Sequence, residues 1–248
     1  GLAGIGGAVT VGRQNPLLAD SVGLTDPIGL RFAGMNPNIQ LNSLSGHNLG
    51  NEWGTTNSKT GSNRVNNSVK YSGKFGGFTG RAMYSFGETA DSGRRMDSRG
   101  LGLDWRQGSW LLTSVWTQFH DANGRTLNAA NLGGAWHNGD WRLTLNYGRN
   151  KAETSAATDT TTKVLAAGVT YALTPALSLN GGYYKVDRER TGLRDDGFQR
   201  VIGYVDYKFS KRTSVYLELD STKWKNDYQG AGNKKNAHGM SLGVTHRF

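Results

Sequence analysis

Apolar and polar residues alternate along most of this chain, in segments of about ten residues. In one such segment Trp141, Leu143, Leu145 and Tyr147 share a face, and Arg142, Thr144, Asn146 and Gly148 share the other. Because successive side chains of a strand point to opposite sides, this period of two predicts β-strands. The pattern recurs at 65–72, 78–87, 101–106, 165–171, 201–209, 215–219 and 240–248.

The connections between these segments alternate in length. Short, turn-like connections lie at 72–74, 107–109, 137–140, 173–176 and 210–213, and long polar ones at 89–98, 121–126, 151–162, 187–197 and 223–237. Short turns at one rim and long loops at the other are typical of an up-and-down membrane barrel. One stretch, 15–63, has no alternation, and a connection of that length is normally functional.

A soluble sandwich or lipocalin-like barrel would also alternate. In such a protein the face opposite the apolar one should be rich in Lys and Glu, whereas here it is mostly Gly, Ser, Thr and Asn with repeated Arg. Aromatic residues are predicted near strand ends, as the interfacial girdles of a membrane barrel require: Trp105, Trp110, Trp136, Trp141, Tyr147, Tyr171 and Tyr207. We therefore expect an all-β, transmembrane, antiparallel up-and-down β-barrel.

Composition narrows the class further. The 248 residues include no cysteine and carry a net charge of +10. The mean hydropathy is −0.56, and no segment approaches the roughly 18 apolar residues of a membrane-spanning helix. A helical membrane protein is thereby excluded, and the 7 Trp, 10 Tyr and 8 Phe argue against disorder. We expect one barrel domain over 1–248.

Other functional classes lack their signals. The basic residues are dispersed along strands and form no stripe typical of nucleic-acid binding. The five histidines, at 47, 120, 137, 238 and 246, have no metal-ligand spacing. No activated nucleophile motif accompanies the Ser, His and acidic residues. We expect no enzyme, no metal, no cofactor and no nucleic-acid partner.

Three stretches resemble the general porins of Gram-negative outer membranes, in their β-proteobacterial branch. They are TVGRQ at 10–14, RVNNSVKY through FGGF to YSFGE at 64–88, and YKFSKRTSVY at 207–216 with the terminal GVTHRF. The end of the chain also resembles an outer-membrane insertion signal, carried by Met240, Leu242, Val244 and Phe248.

The resemblance implies a trimeric barrel of about 16 strands. This chain supplies about 12 of them, so an N-terminal portion of such a barrel would be missing. A complete barrel of about 12 strands is the alternative, because even-numbered barrels of that size exist. The resemblance also implies that 15–63 folds into the lumen and narrows it.

The constriction residues follow from the same resemblance. Arg13 and Arg64 match two constriction arginines of the family, and the loop residues Asp20 and Asp26 match its "D-A-L-G-x-T-D". Arg31 stands near the place where cation-preferring relatives carry a glutamate in "P-E-F-G-G". These residues are the predicted pore constriction, in which the resemblance implies that Asp26 is the loop carboxylate facing the arginines.

Strand parity extends the predicted pore lining to Lys70, Arg81, Arg142, Asn66 and Ser68. Guanidinium groups confined in an aqueous channel concentrate anions and repel cations. Alternatively, these cations pair with wall carboxylates such as Asp104, Asp206 and Glu218, which would leave the selectivity near neutral.

The sequence thus predicts a passive diffusion channel for small hydrophilic solutes in the outer membrane, with a preference for anions. Its expected partners are small anionic or neutral solutes, the lipid bilayer, lipopolysaccharide and two further copies of the chain. Lipopolysaccharide phosphates would meet the basic loop residues Arg94, Arg95, Lys234 and Lys235. The alternatives are a channel specific for organic acids or phosphate, and a plugged adhesin or structural barrel.

Overall fold

A computed structural model describes residues 1–29, 55–56, 64–87, 97–121, 123–226, 228 and 234–248 of the chain. These residues form one antiparallel sheet with a short helix on one of its faces. The elements are β1 (Leu2–Gly4), β2 (Gly7–Gln14), α1 (Leu17–Thr25), β3 (Thr55–Thr56), β4 (Arg64–Phe75), β5 (Phe78–Ser85), β6 (Ser98–Gln107), β7 (Trp110–His120), β8 (Thr126–Asn138), β9 (Trp141–Glu153), β10 (Asp159–Ala172), β11 (Leu177–Arg190), β12 (Asp196–Lys208), β13 (Thr213–Lys225) and β14 (Asn236–His246).

Every strand from β4 onward pairs with the next one along the chain, and β2 pairs with β4. The two-residue β3 pairs with β4 beside this path, and β1 and β14 stand at the two ends of the sheet. Apart from the short β1 and β3, the described residues contain twelve strands of 8 to 14 residues. The predicted up-and-down topology and strand number are confirmed.

The two faces of the sheet differ in chemistry, as β9 shows. Leu143, Leu145 and Tyr147 are 44–57 % exposed on the outer face, whereas the alternate residues Thr144 and Asn146 are at most 6 % exposed. The predicted alternation over Trp141–Gly148 is therefore correct. An exposed apolar outer face and a polar inner face suit a wall between lipid and water.

Aromatic rings border the apolar face where the strands meet the short turns. Trp110 lies 6.4 Å from Trp136, and Trp141 lies 4.4 Å from Tyr171, between ring centroids. Tyr147 was predicted near a strand end but is the seventh residue of β9. The reason is that β9 has 13 residues, whereas about 9–11 suffice to cross the membrane. The strand therefore continues for six residues beyond Tyr147.

The connections also differ from the prediction. The hairpin of β4 and β5 turns at Gly76, with φ of 59°, so β4 runs through the predicted turn at 72–74. The connections between β9 and β10 and between β11 and β12 are shorter than predicted, because charged residues at their edges continue the strands and pair across them. Lys151 Nζ, for example, lies 2.7 Å from Asp159 Oδ2 across the β9–β10 connection.

The segment 15–63 opens with a helix that the sequence pattern did not reveal. Pro16, with φ of −64°, precedes α1, and Asp20 supplies negative charge to its first turn, where the helix dipole favours it. Residues 30–54 and 57–63 lie outside the described residues. Among the described residues, no helix has the length and apolar character needed to cross a membrane.

The helix packs on the inner face of the sheet. Leu17 and Leu18 belong to one apolar cluster with Val65, Met83, Val115, Phe119, Leu127, Ala129 and Ala152. Beyond the helix, Ile28 packs with Ala166, Tyr184, Ile202 and Tyr204 of β10, β11 and β12. Residues 17–28 therefore cross the inner face from β4 to β12.

Candidate functional site

Asp20 of α1 meets two basic side chains of the wall. Lys70 Nζ donates to Asp20 Oδ2 at 2.7 Å, and Arg81 Nη1 lies 3.9 Å from the same oxygen. Both cations come from adjacent strands, β4 and β5, at inner positions that alternation predicted. Asp20 is thus a loop carboxylate that faces Lys70 and Arg81 of the predicted basic lining.

A chain of hydrogen bonds continues from this ion pair along the wall. Arg81 Nη2 donates to Asp104 Oδ1 at 2.5 Å, and Thr113 Oγ1 donates to the same oxygen at 2.6 Å. Ser21 Oγ lies 2.8 Å from Thr113 Oγ1. Since the Thr113 proton serves Asp104, Ser21 is the donor in that bond, and it fastens α1 to β7.

The end of α1 is held by two side chains of β9. Asn146 Nδ2 donates to Thr25 Oγ1 at 2.8 Å, and Arg142 Nη2 donates to the Leu24 carbonyl at 3.0 Å. Arg142 therefore lies on the inner face, as predicted, but its guanidinium binds the backbone of the helix. Asn146 also pairs with Asn131 of β8 at 2.8 Å.

Asp26 is fully buried, and this differs from the predicted arrangement. Its carboxylate accepts a bond from the Tyr184 hydroxyl at 3.2 Å and one from the Ile28 backbone N–H at 3.0 Å. Its charge also interacts electrostatically with Arg142. Asp26 therefore fixes the segment to β11.

Glycines on the inner wall allow the segment to approach the backbone of the sheet. A Cβ at Gly168 would lie 2.5 Å from Pro27 Cα, and one at Gly182 would lie 3.1 Å from Ile28 Cγ2. A Cβ at Gly133 would collide with Thr25 Oγ1. The sequence pattern did not single out these glycines. Their positions on the inner side of the alternation in β8, β10 and β11 would have indicated them.

Arg13 and Arg64 lie on neighbouring strands, β2 and β4. They flank the Gln14–Val65 pair in the register of these strands, and both are exposed. Gln14 itself is fastened to the wall, because its amide Nε2 donates to the Thr10 and Ser68 carbonyls at 3.1 and 3.2 Å. Arg31 lies outside the described residues.

The alternation along β4 breaks at Asn67. This residue has φ of 47°, and the pairing between β2 and β4 shifts beside it. Val65 and Ser68 are both 1 % exposed although three positions separate them. A strand bulge of this kind inserts one residue, so Asn66 does not share the regular alternation that placed it with Ser68.

The predicted pore-lining residues are therefore largely engaged with the protein itself. Lys70 and Arg81 pair with carboxylates, Arg142 binds a carbonyl, and Ser68 Oγ donates to the Gly12 carbonyl at 2.7 Å. Arg81 and Asp104 form an ion pair within the wall, which is the structural pairing that the sequence offered as an alternative.

The residues of the predicted insertion signal lie at the end of the sheet. Met240, Leu242 and Val244 share the outer face of β14 and are 69–79 % exposed, and Phe248 is fully exposed. Their insertion role stays a prediction.

The family model described as Gram-negative porin matches residues 1–227. The chain belongs to the Gram-negative porin family. This porin is 31 % identical over 96 residues to the major outer membrane protein P.IA of Neisseria meningitidis serogroup C, which is 38 % of the porin but 24 % of that relative. The matched segment thus spans about a quarter of the curated relative.

Solved structures extend the likeness across the fold. The anion-selective porin from Comamonas acidovorans has a TM-score of 0.74 and 18 % identity, covering 99 % of this porin and 76 % of that chain. OmpT of Vibrio cholerae has a TM-score of 0.74 and 16 % identity, covering 97 % and 77 %. These likenesses show the β-barrel fold, and membership of the Gram-negative porin family makes the porin an outer-membrane protein.

Proposed function

We propose that this porin is a passive diffusion channel for small hydrophilic solutes. The observation that carries the proposal is the contrast between the two faces of the wall: the outer face is apolar and exposed, and the inner face carries polar residues beside the apolar patches on which residues 17–28 pack. A wall of this kind separates lipid from an aqueous lumen.

We infer further that the segment 15–63 forms the constriction. Residues 17–28 cross the inner face from β4 to β12, and they are fastened there by Asp20, Ser21, Thr25 and Asp26. A segment that buried contacts hold on the lumen side reduces the free cross-section of the pore. Because these contacts fix its position, the segment does not move in and out of the pore.

We propose a preference for anions. The net charge is +10, and Arg13 and Arg64 are exposed near the start of the constriction segment. The Comamonas relative, described as anion-selective, shares the fold. Asp20 opposes this preference, because it offsets part of the charge of Lys70 and Arg81.

Swelling of proteoliposomes tests the proposal. We expect swelling in a neutral pentose and faster swelling in an anionic sugar acid of similar size, with no saturation. Saturation by one organic acid or phosphate would instead indicate a substrate-specific channel. Absence of swelling in every solute would contradict the channel and favour a plugged barrel.

We also propose that the porin assembles as a homotrimer. One solved OmpT from Vibrio cholerae is described as a trimer form. A trimer would migrate as a single large species on a gel without heating and as a monomer of 26.9 kDa after boiling. Migration as a monomer before and after heating would contradict the trimer.

A further inference from the structure

A second group of cations lies on the inner face, at the end of the sheet that carries the short turns. Lys208 ends β12, Lys211 and Arg212 form the turn to β13, and Arg247 follows β14. None of the hydrogen bonds and ion pairs described above for the α1 site involves these residues. Sequence analysis assigned them no role.

The register of the strands places this group on the lumen side. Ile202, which packs on Ile28, has the same parity as Lys208 in the regular pairing of β12 with β13. Lys208 is paired with Ser214, and Ser214 is paired with Thr245. The three residues therefore form one row across the inner face.

The turn brings the arginines together. The Arg247 backbone N–H donates to the Arg212 carbonyl at 2.9 Å. Ser210 Oγ accepts bonds from the backbone N–H groups of Arg212 and Thr213 at 3.1 and 3.0 Å, which fixes the shape of the turn. The basic side chains thus project from a defined backbone.

The four cations line a cavity of about 740 Å³. Asp206 is the one carboxylate among its described lining residues, and it is 3 % exposed in the wall. Within the described part of the chain, no carboxylate lies within 4.0 Å of the charged atoms of Lys208, Lys211, Arg212 or Arg247. The four cations outnumber this carboxylate, so the cavity has a net positive charge.

We propose that Lys208, Lys211, Arg212 and Arg247 form a second anion site at the periplasmic mouth of the pore, with affinity for polyvalent oxoanions. Short turns mark the periplasmic end of an outer-membrane barrel. A cleft lined by one sign of charge concentrates counter-ions, and Arg and Lys bind phosphate oxygens through charge-assisted hydrogen bonds. The inference rests on the proposed channel function, but it involves other residues than the constriction.

Side-specific block of the chloride current by inorganic pyrophosphate tests this site. The chain has no cysteine, so an Ala156→Cys variant, in the loop between β9 and β10, reports the orientation of each channel through an impermeant thiol reagent. We expect pyrophosphate to block at lower concentration from the short-turn side. Replacing Lys208, Arg212 and Arg247 by Gln should raise the half-blocking concentration from that side about tenfold.

A matched variant controls for net charge. Arg149, Lys223 and Lys225 are exposed at the other end of the strands, and replacing all three by Gln should leave the block from the short-turn side unchanged. The open-channel conductance without pyrophosphate shows that each variant has folded. If the triple variant at the mouth fails to fold, Lys211→Gln in the exposed turn should still raise the half-blocking concentration. We expect about a twofold rise, because removing one unit charge that acts through water changes the binding constant by about that factor.

The two proposals fail in different ways. Absence of any conductance by the unmodified porin would contradict the channel function, and with it this inference. Conductance with equal pyrophosphate block in the unmodified porin and in the mouth variants would overturn the second anion site alone.

Discussion

Asp20 is the residue whose charge most directly opposes the proposed anion preference. Its carboxylate lies 2.7 Å from Lys70 Nζ and 3.9 Å from Arg81 Nη1. In Asp20→Asn both cations would act on solute without this offset. A unit charge acting across about 10 Å of water is worth about 0.4 kcal/mol, so we expect the chloride-to-potassium permeability ratio to rise about twofold.

Asp159→Asn is the matched control, because Asp159 pairs with Lys151 where β9 and β10 meet their connecting loop. It should leave the permeability ratio unchanged. An equal change in both variants would show that net charge, and not the position of Asp20, sets the ratio.

Tyr184 provides a test of the buried anchor. Its hydroxyl donates to the carboxylate of Asp26, which is fully buried. Tyr184→Phe removes this donor, and a buried acceptor that loses a partner costs about 1–3 kcal/mol. We expect heat-induced unfolding, followed by gel mobility, at a lower temperature than in the unmodified porin.

Tyr183→Phe is the control for this substitution, because Tyr183 has the opposite parity on β11. Its unfolding temperature should match that of the unmodified porin. A Tyr184→Phe variant that is equally stable would contradict the anchoring role of Asp26.

Single residues were only partly predictable from the sequence. Parity placed Lys70, Arg81 and Arg142 on the inner face correctly, because alternation in a regular strand depends on the backbone alone. It could not show that Asp20 meets Lys70 and Arg81, whereas Asp26 accepts a bond from Tyr184. That distinction depends on the helical turn between the two residues and on the Tyr184 hydroxyl, which is distant in sequence.

Among the elements, residues 17–28 pack closely on the wall because glycines occupy the inner positions beneath them. A Cβ at Gly168 would lie 2.5 Å from Pro27 Cα, and such overpacking typically costs about 1–3 kcal/mol. In Gly168→Ala the segment has to move away from the wall, which means into the lumen. We expect a lower single-channel conductance.

Gly203→Ala is the appropriate control, because a Cβ there would meet only the Asn180 carbonyl, at 3.9 Å. Its conductance should equal that of the unmodified porin. A Gly168→Ala porin that folds and conducts normally would contradict the position of this segment in the pore.

The strands were predictable as elements, and α1 was not. Each strand repeats its pattern over 8 to 14 residues, so the alternation is visible without tertiary information. The nine residues of α1 are too few for a clear helical period, and Leu17, Leu18, Ser21, Val22 and Thr25 are all buried by the wall. Pro16 followed by Asp20 in the first turn was the available signal.

At the scale of the whole molecule, the order of the strands follows from the lengths of the connections. Short turns force neighbouring strands to be antiparallel, and the structure contains that order from β4 to β14. The bulge at Asn67 and the ion pairs that lengthen the strands at 151–159 depend on contacts between strands. A pattern read along one strand does not contain them.

The sign of the whole pore's selectivity combines the exposed arginines near the constriction, the offset by Asp20 and the basic periplasmic mouth. The most direct measurement is the zero-current potential of the porin in a planar bilayer under a gradient of potassium chloride. We predict a potential of the sign that indicates preferential chloride permeation, and a potential of the sign that indicates preferential potassium permeation would contradict the account.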